Sequence, residues 1–435
     1  MGEFEREATE LLQRLIRFNT VNPPGAERAA QEFLSEHLSA AGFQCELLAR
    51  DDARPNLVAR LPGEGDGPVL CLLSHVDTVL AHPQEWSHDP WSGDEADGFV
   101  WGRGAIDMKS QTAAEVAAAS ALARAGWRPA RGELLVVCVA DEEAGGAYGA
   151  QWLTQEHPDR VRCDFLVNEG GGTVFEHDGR RYYGVCCAEK GVFRFTVTTE
   201  GVAGHASIPR MGDNALTKMG PLLQRLADRQ PSLDVGIEPR ELLRRLTGDD
   251  PAADGDPAAA IERLREADPL LALIVEPTLG VSVTPTRIRA SEKINVIPSE
   301  AQLEVDCRVP PGLGEADARR RIEEVLGADG YRLDFHETVV GNRSPAESVL
   351  MDAVSAWIGE QDPGAETVPM MLPGFTDSRW FRNAFPECVA YGFFPQRHMS
   401  LHETAPLIHG ADERIDVRDL GFATRFFHDL PRRLL

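Results

Sequence analysis

Residues 134–146 read LLVVCVADEEAGG, an apolar run that stops on three consecutive carboxylates, Asp141, Glu142 and Glu143. A chain normally avoids stacking like charges in this way, so the crowding calls for a use. Two other strand-like runs end similarly. VLCLL at 69–73 leads into Ser74, His75, Val76, Asp77 and Thr78, and DFLV at 164–167 leads into Asn168, Glu169 and three glycines. Helical periodicity occupies 5–18, 26–41 and an alanine-rich stretch at 110–125. Strands spaced by helices imply an α/β fold, a mixed, mostly parallel sheet flanked by helices. In such a sheet the functional crevice lies outside the carboxyl ends of the strands, so the three polar clusters are expected to converge there.

From about residue 188 the texture changes. GVFRFTVTTEG at 191–201 and AQLEVDCRV at 301–309 alternate apolar and polar residues like half-exposed antiparallel strands, with helices expected at 213–228 and 315–326. Beyond about 340 helices and short apolar runs return, ending in a C-terminal helix. The expected organisation is therefore a first domain made of 1–187 and 340–435, interrupted by an inserted α+β domain at 188–339. DPAADGDPAAA at 250–260 reads as a mobile loop or local insertion.

The 435 residues carry a formal charge of −25, which argues against nucleic acid or an anionic membrane as partner. No stretch approaches the roughly 18 uninterrupted apolar residues of a membrane span. The acidic start MGEFEREATELL reads as an amphipathic helix rather than an export signal. Eight cysteines without CxxC spacing fit reduced thiols, and a cytoplasmic location is the expectation.

Two further clusters complete the polar set. Asp107 sits in the glycine-containing loop WGRGAIDMKS ahead of the alanine-rich helix, and His409 lies in IHGADER before the last helix. His75, Asp107, Glu143, Glu169 and His409 together form a nitrogen and oxygen ligand set with no thiolate. Such a set suits two divalent ions, zinc first, with cobalt or manganese as alternatives, and Asp107 could bridge them. Cation charge would relieve the acidic crowding. A lone HxD or EE pair is common in proteins without metal; five pieces in this order are not. His402 in SLHET competes with His409. No HExxH helix and no GxSxG elbow is present.

SHVDTV, GRGAIDMK, ADEEAGG, NEGGG, GVAGHASIP, NVIPSEAQLEVDCR, GFTDSRWF and HGADERI resemble, in this order, the motifs of the M20 family of co-catalytic metallopeptidases and deacylases. The resemblance implies that His75 and Glu169 hold one ion, that Glu143 and His409 hold the other, and that Asp107 bridges both. It further implies that Asp77 orients the His75 imidazole, that Glu142 is the general base, and that the peptide bond after Asp107 is cis. For the inserted domain it implies a lid that mediates dimerisation. In that lid His205 would stabilise the oxyanion, often from the other subunit of a homodimer, and Asn295 and Arg308 would hold substrate; Gly374 and Thr376 would face the substrate's carboxylate end. Arg308 as a surface ion pair and Asn295 as a turn residue are the competing structural roles. The implied reaction is cleavage of the amide bond of an N-acyl amino acid or short peptide with a free carboxylate. An aminopeptidase or dipeptidase, or a non-catalytic binder of amino-acid conjugates, are the alternatives.

Overall fold

The computed structural model describes residues 2–248 and 256–435, and the chain divides into two compact units. One comprises the segment up to Cys187 with Ser344–Met370 and Thr376–Leu435; the other comprises Ala188–Arg343 with Met371–Phe375.

The sheet of the first unit follows one hydrogen-bonded path through nine strands: Gln44–Leu48, Asn56–Pro62, Glu133–Val139, Val69–His75, Phe165–Asn168, Val389–Gly392, Arg180–Glu189, Thr173–His177 and Gln396–Ser400. It is a mixed sheet whose parallel pairing is concentrated in the centre. Glu133–Val139, Val69–His75, Phe165–Asn168 and Val389–Gly392 run parallel, and antiparallel strands flank them.

Side chains alternate across this sheet, and both faces are covered. Leu70, Leu72, Leu134, Val136 and Cys138 share one core with Leu12, Leu34, Ala117 and Phe426 of the helices Glu3–Ile16, Arg28–Ala41, Lys109–Arg124 and Val417–Leu434. Cys71, Leu73, Leu135, Val137 and Val139 meet Leu153, Val161, Phe381 and Phe385 on the other face. Burial on both sides is why the central runs of these strands are apolar on both faces. The small side chains of Lys109–Arg124 let that helix pack against Glu3–Ile16, Val417–Leu434 and the sheet at once.

The second unit has an antiparallel sheet built on Glu300–Val309, which pairs with Gly191–Val192 and Phe195–Glu200 on one edge and with Ser282–Arg289 on the other. Ala301, Leu303, Val305, Cys307 and Val309 are buried beneath the helices Ala215–Asp228 and Glu315–Leu326, while the residues between them are half-exposed. Period-two patterning follows from this one-sided burial. Part of the expected loop at 250–260 is corrected: residues 249–255 lie outside the described residues, but Pro257–Ala267 is a helix. Asp256 caps it by accepting the Ala258 N–H at 3.0 Å, with Pro257 in the first turn. Asp-Pro reads as a breaker by composition, yet it is also how a helix begins. Among the described residues no helix is long and apolar enough to cross a membrane.

Candidate metal centre

Three neighbouring parallel strands deliver the first candidate ligands from their carboxyl ends. His75 is the last residue of Val69–His75, Glu169 follows Phe165–Asn168, and Glu143 lies in the short turn Glu142–Ala144 after Glu133–Val139. Asp107 enters from the loop ahead of Lys109–Arg124, with a cis peptide bond to Met108, and His409 from the loop ahead of Arg414–Asp416.

The side chains form two triads that share one carboxylate. His75 Nε2 lies 3.1 Å from Asp107 Oδ1 and 3.7 Å from Glu169 Oε1. His409 Nε2 lies 3.1 Å from Asp107 Oδ2 and 3.3 Å from Glu143 Oε2. In each triad one ligand atom per residue lies within 4.8 Å of the others. Asp107 thus turns one oxygen to each histidine, as a carboxylate bridging two cations must. His402 joins neither triad.

The chemistry of the donors fits cations. Glu143 Oε1 is buried with no hydrogen-bond donor. Burial, reinforced by the charge of Asp107, pushes the Glu169 carboxyl up to about 7. Burial and the charge of Glu169 drive Glu142 well above the usual carboxylate range, and burial also raises Glu143. Hydrogen bonds to Asp107 and Glu143 hold His409 up at about 10. Burial alone would lower His75, but Glu169, Asp107 and Asp77 overcome it and raise it. Acids that resist ionising together and an acceptor without a donor are what a bound dication relieves, displacing protons as it enters.

Asp77 connects the parts. His75 Nδ1 lies 3.4 Å from its Oδ1 and 3.0 Å from its backbone oxygen. Donation from Nδ1–H leaves the Nε2 lone pair aimed at the Asp107 side. The same carboxylate accepts the N–H groups of Glu142 at 3.1 Å and Glu143 at 3.2 Å, fixing the turn that carries both. Asn22 Nδ2 donates to Asp77 at 2.9 Å and to Asp141 at 3.1 Å, and Arg54 Nη1 pairs with Asp141 at 2.8 Å. Asp141 therefore braces the turn from behind; its Oδ2 also accepts the Tyr148 N–H at 3.0 Å. Asn22 and Arg54 carry no motif that would have marked them in the sequence. Gly392 is required by close approach, since a Cβ there would meet the Glu169 oxygen at 2.0 Å.

Thr376 is buried, and its hydroxyl accepts from Nδ2 of Asn168, the residue before Glu169, at 3.3 Å and from the Ser378 N–H at 3.2 Å. The other candidates belong to the second unit. His205 lies on a two-residue ribbon paired with Val296, and its Nδ1 accepts the Ser207 N–H at 3.2 Å. That bond places the ring proton on Nε2 in the neutral form. Asn295 is exposed, its carbonyl accepting the Ala206 N–H at 3.1 Å. Arg308 pairs with Asp306 at 2.7 Å and packs over the Phe375 ring at 5.6 Å. Gly374 lies in the Met371–Phe375 segment of the same unit.

The sequence profile of Peptidase family M20/M25/M40 matches residues 71–433. A succinyl-diaminopimelate desuccinylase from Bordetella avium is 27% identical over 414 residues, covering 93% of each chain. Among solved structures, an M20 family metallo-carboxypeptidase from Sulfolobus solfataricus superposes with a TM-score of 0.76 at 16% identity, over 100% of this chain and 99% of that one. Human carnosine dipeptidase 1 superposes with a TM-score of 0.71 at 15% identity, over 99% and 96%.

Proposed function

The chain belongs to peptidase family M20/M25/M40 and is a metal-dependent hydrolase, and from that premise we propose that it cleaves the amide bond of an N-acyl amino acid or short peptide bearing a free carboxylate. The observation that carries this reading is Asp107, with an oxygen 3.1 Å from a histidine on either side. His75 and Glu169 would hold one divalent ion, Glu143 and His409 a second, and Asp107 both; zinc suits the donors, as do cobalt and manganese. When bound, the ions polarise the amide carbonyl and acidify the attacking water.

Glu142 accepts the water's proton and returns it to the leaving amine. Its half-buried carboxyl, made more basic by burial and by Glu169, is suited to that task. His205 offers an Nε2–H donor to the oxyanion, and its tautomer is set by the Ser207 N–H. Arg308, paired with Asp306, presents a planar cation suited to a substrate carboxylate, with Asn295 as a second candidate contact; Gly374 and Thr376 are the candidates for facing the substrate's carboxylate end. Glutamate at Glu169 and the likeness to a desuccinylase over most of the chain favour deacylation over aminopeptidase or dipeptidase action. The second unit exposes Val202, Ile208, Met211 and Ile294, which supports a homodimer formed through this unit.

The test is a hydrolysis screen of N-acetyl and N-succinyl amino acids beside free dipeptides, with zinc, cobalt or manganese supplied in turn. Turnover of blocked substrates at rates well above free dipeptides is expected. Preference for a free amino terminus would overturn the deacylase reading, and light scattering would decide the homodimer.

A further inference from the structure

Asp107 and His409 are carried by loops, so something besides the sheet must hold their oxygen and nitrogen 3.1 Å apart. Glu413 is fully buried and receives four N–H groups. Its Oε2 accepts Arg103 Nη1 at 2.7 Å and the Gly104 N–H at 3.1 Å; its Oε1 accepts the Ile106 N–H at 2.7 Å and the Asp107 N–H at 2.9 Å. The loop 103–107 is thus wrapped around one carboxylate that itself stands four residues after His409. The second arm of Arg103, Nη2, donates to the His409 carbonyl at 3.2 Å and to the Leu80 carbonyl at 3.1 Å. The backbone closes the ring, since the Gly102 N–H donates to the Glu413 carbonyl at 3.0 Å.

We infer that Glu413 and Arg103 are positioning residues that set the spacing of Asp107 and His409, and thereby the affinity of the ion held by Glu143 and His409. The reasoning is one of donor count. Four N–H groups converge on two oxygens, so a carboxylate is the one side chain of this length that satisfies all of them. A glutamine in its place must turn its NH2 either toward Arg103 and Gly104 or toward Ile106 and Asp107. Either orientation sets two donors against a donor, and the loop has to shift. The strand-borne pair, His75 and Glu169, has no part in this ring and keeps its geometry, so the ion it shares with Asp107 keeps two of its three ligands in place, whereas the other ion keeps only Glu143. Lysine at position 103 keeps the charge but lacks the planar fork needed to grip Glu413 and two carbonyls at once.

This inference rests on the two-ion reading of the site. The experiment is a zinc titration of the metal-stripped full chain against a chromophoric chelator, for wild type, Glu413→Gln and Arg103→Lys, with cobalt absorbance and thermal melts alongside. Wild type should take up two ions. Both variants should keep one tight ion and bind the second roughly 10- to 100-fold more weakly, as is usual when a group behind a ligand is lost. Turnover should return at high metal with kcat near wild type. Two ions bound at wild-type affinity, or equal weakening of both, would overturn the positioning inference alone. Fewer than two ions in wild type would overturn the site reading and this inference together. Should Glu413→Gln fail to fold, Arg103→Lys decides, because it leaves no buried carboxylate without a cation.

Discussion

The two halves of the candidate metal centre are built differently. His75 and Glu169 stand at the ends of neighbouring parallel strands, with side chains 1% and 18% exposed, and their geometry comes from ladder register and core packing. His409 is 52% exposed on a loop, at a left-handed φ of 60°, and its partner Glu143 sits in a turn. Ladder register places the first half, with Asp77 steadying the His75 ring, whereas the second depends on side chains that grip backbone: Glu413 and Arg103 on one side, and Asp77, itself held by Asn22, on the other. A sheet edge supplies direction cheaply, and a loop ligand needs a scaffold of buried charges.

The largest expected effect separates chemistry from both halves. Glu142→Ala should lower turnover on the order of 100- to 10,000-fold while the protein still takes up its full complement of metal by elemental analysis. A variant that turned over normally would remove Glu142 from the mechanism. The next comparison is His75→Ala against His409→Ala. Each should lose one ion, but His75→Ala should lower the melting temperature of the metal-free protein more than His409→Ala, because it also opens a buried cavity and strips Asp77 of its imidazole. Equal melting losses would mean that the halves are not held differently.

Asp77→Ala should weaken both ions by roughly 10- to 100-fold, since it frees the His75 ring and the Glu142 and Glu143 N–H groups together. Selective loss at one site, read by cobalt absorbance, would contradict its placement between the halves. The smallest effect is in pH. Glu169 is raised from its ordinary 4.5 to about 7, so the metal-free fold favours its protonated form and should lose stability as pH rises between those values. His409 is raised from 6.5 to about 10, and its contribution, fully present below 6.5, is lost as pH rises through 10. Melts of chelator-treated protein should therefore fall from pH 5 to 7, before the buried Lys109 and Lys190, both lowered to about 7, begin to oppose the trend, while zinc affinity rises over the same range as protons leave the ligands. A metal-free melt that rises with pH over that range would contradict this.

Much of the centre was legible because its ligands follow apolar runs. LLVVCV, VLCLL and DFLV read as buried strands alternating with helices, so the polar residues after them were expected to emerge on one edge, and His75, Glu143 and Glu169 do. The helices at 213–228 and 315–326 were legible for the same reason of period. Residues 257–260 misled, because Asp, Pro and Ala compose both a loop and a helix start. Arg103 and Glu413 lay inside the quoted motifs without a role, since nothing in a string of letters says which carboxylate faces metal and which faces four N–H groups.

The amino-acid sequence by itself determined the layered α/β architecture, the identity of the donor atoms and their order along the chain, because hydrophobic period and side-chain chemistry are local properties. Only the tertiary structure decided that the two oxygens of Asp107 face different histidines, that Asp77 serves both His75 and the Glu142–Glu143 turn, and that Glu413 ties the loops together. Those facts are distances between residues up to 310 positions apart. Such distances arise from packing and hydrogen-bond satisfaction across the whole fold, which no local pattern encodes.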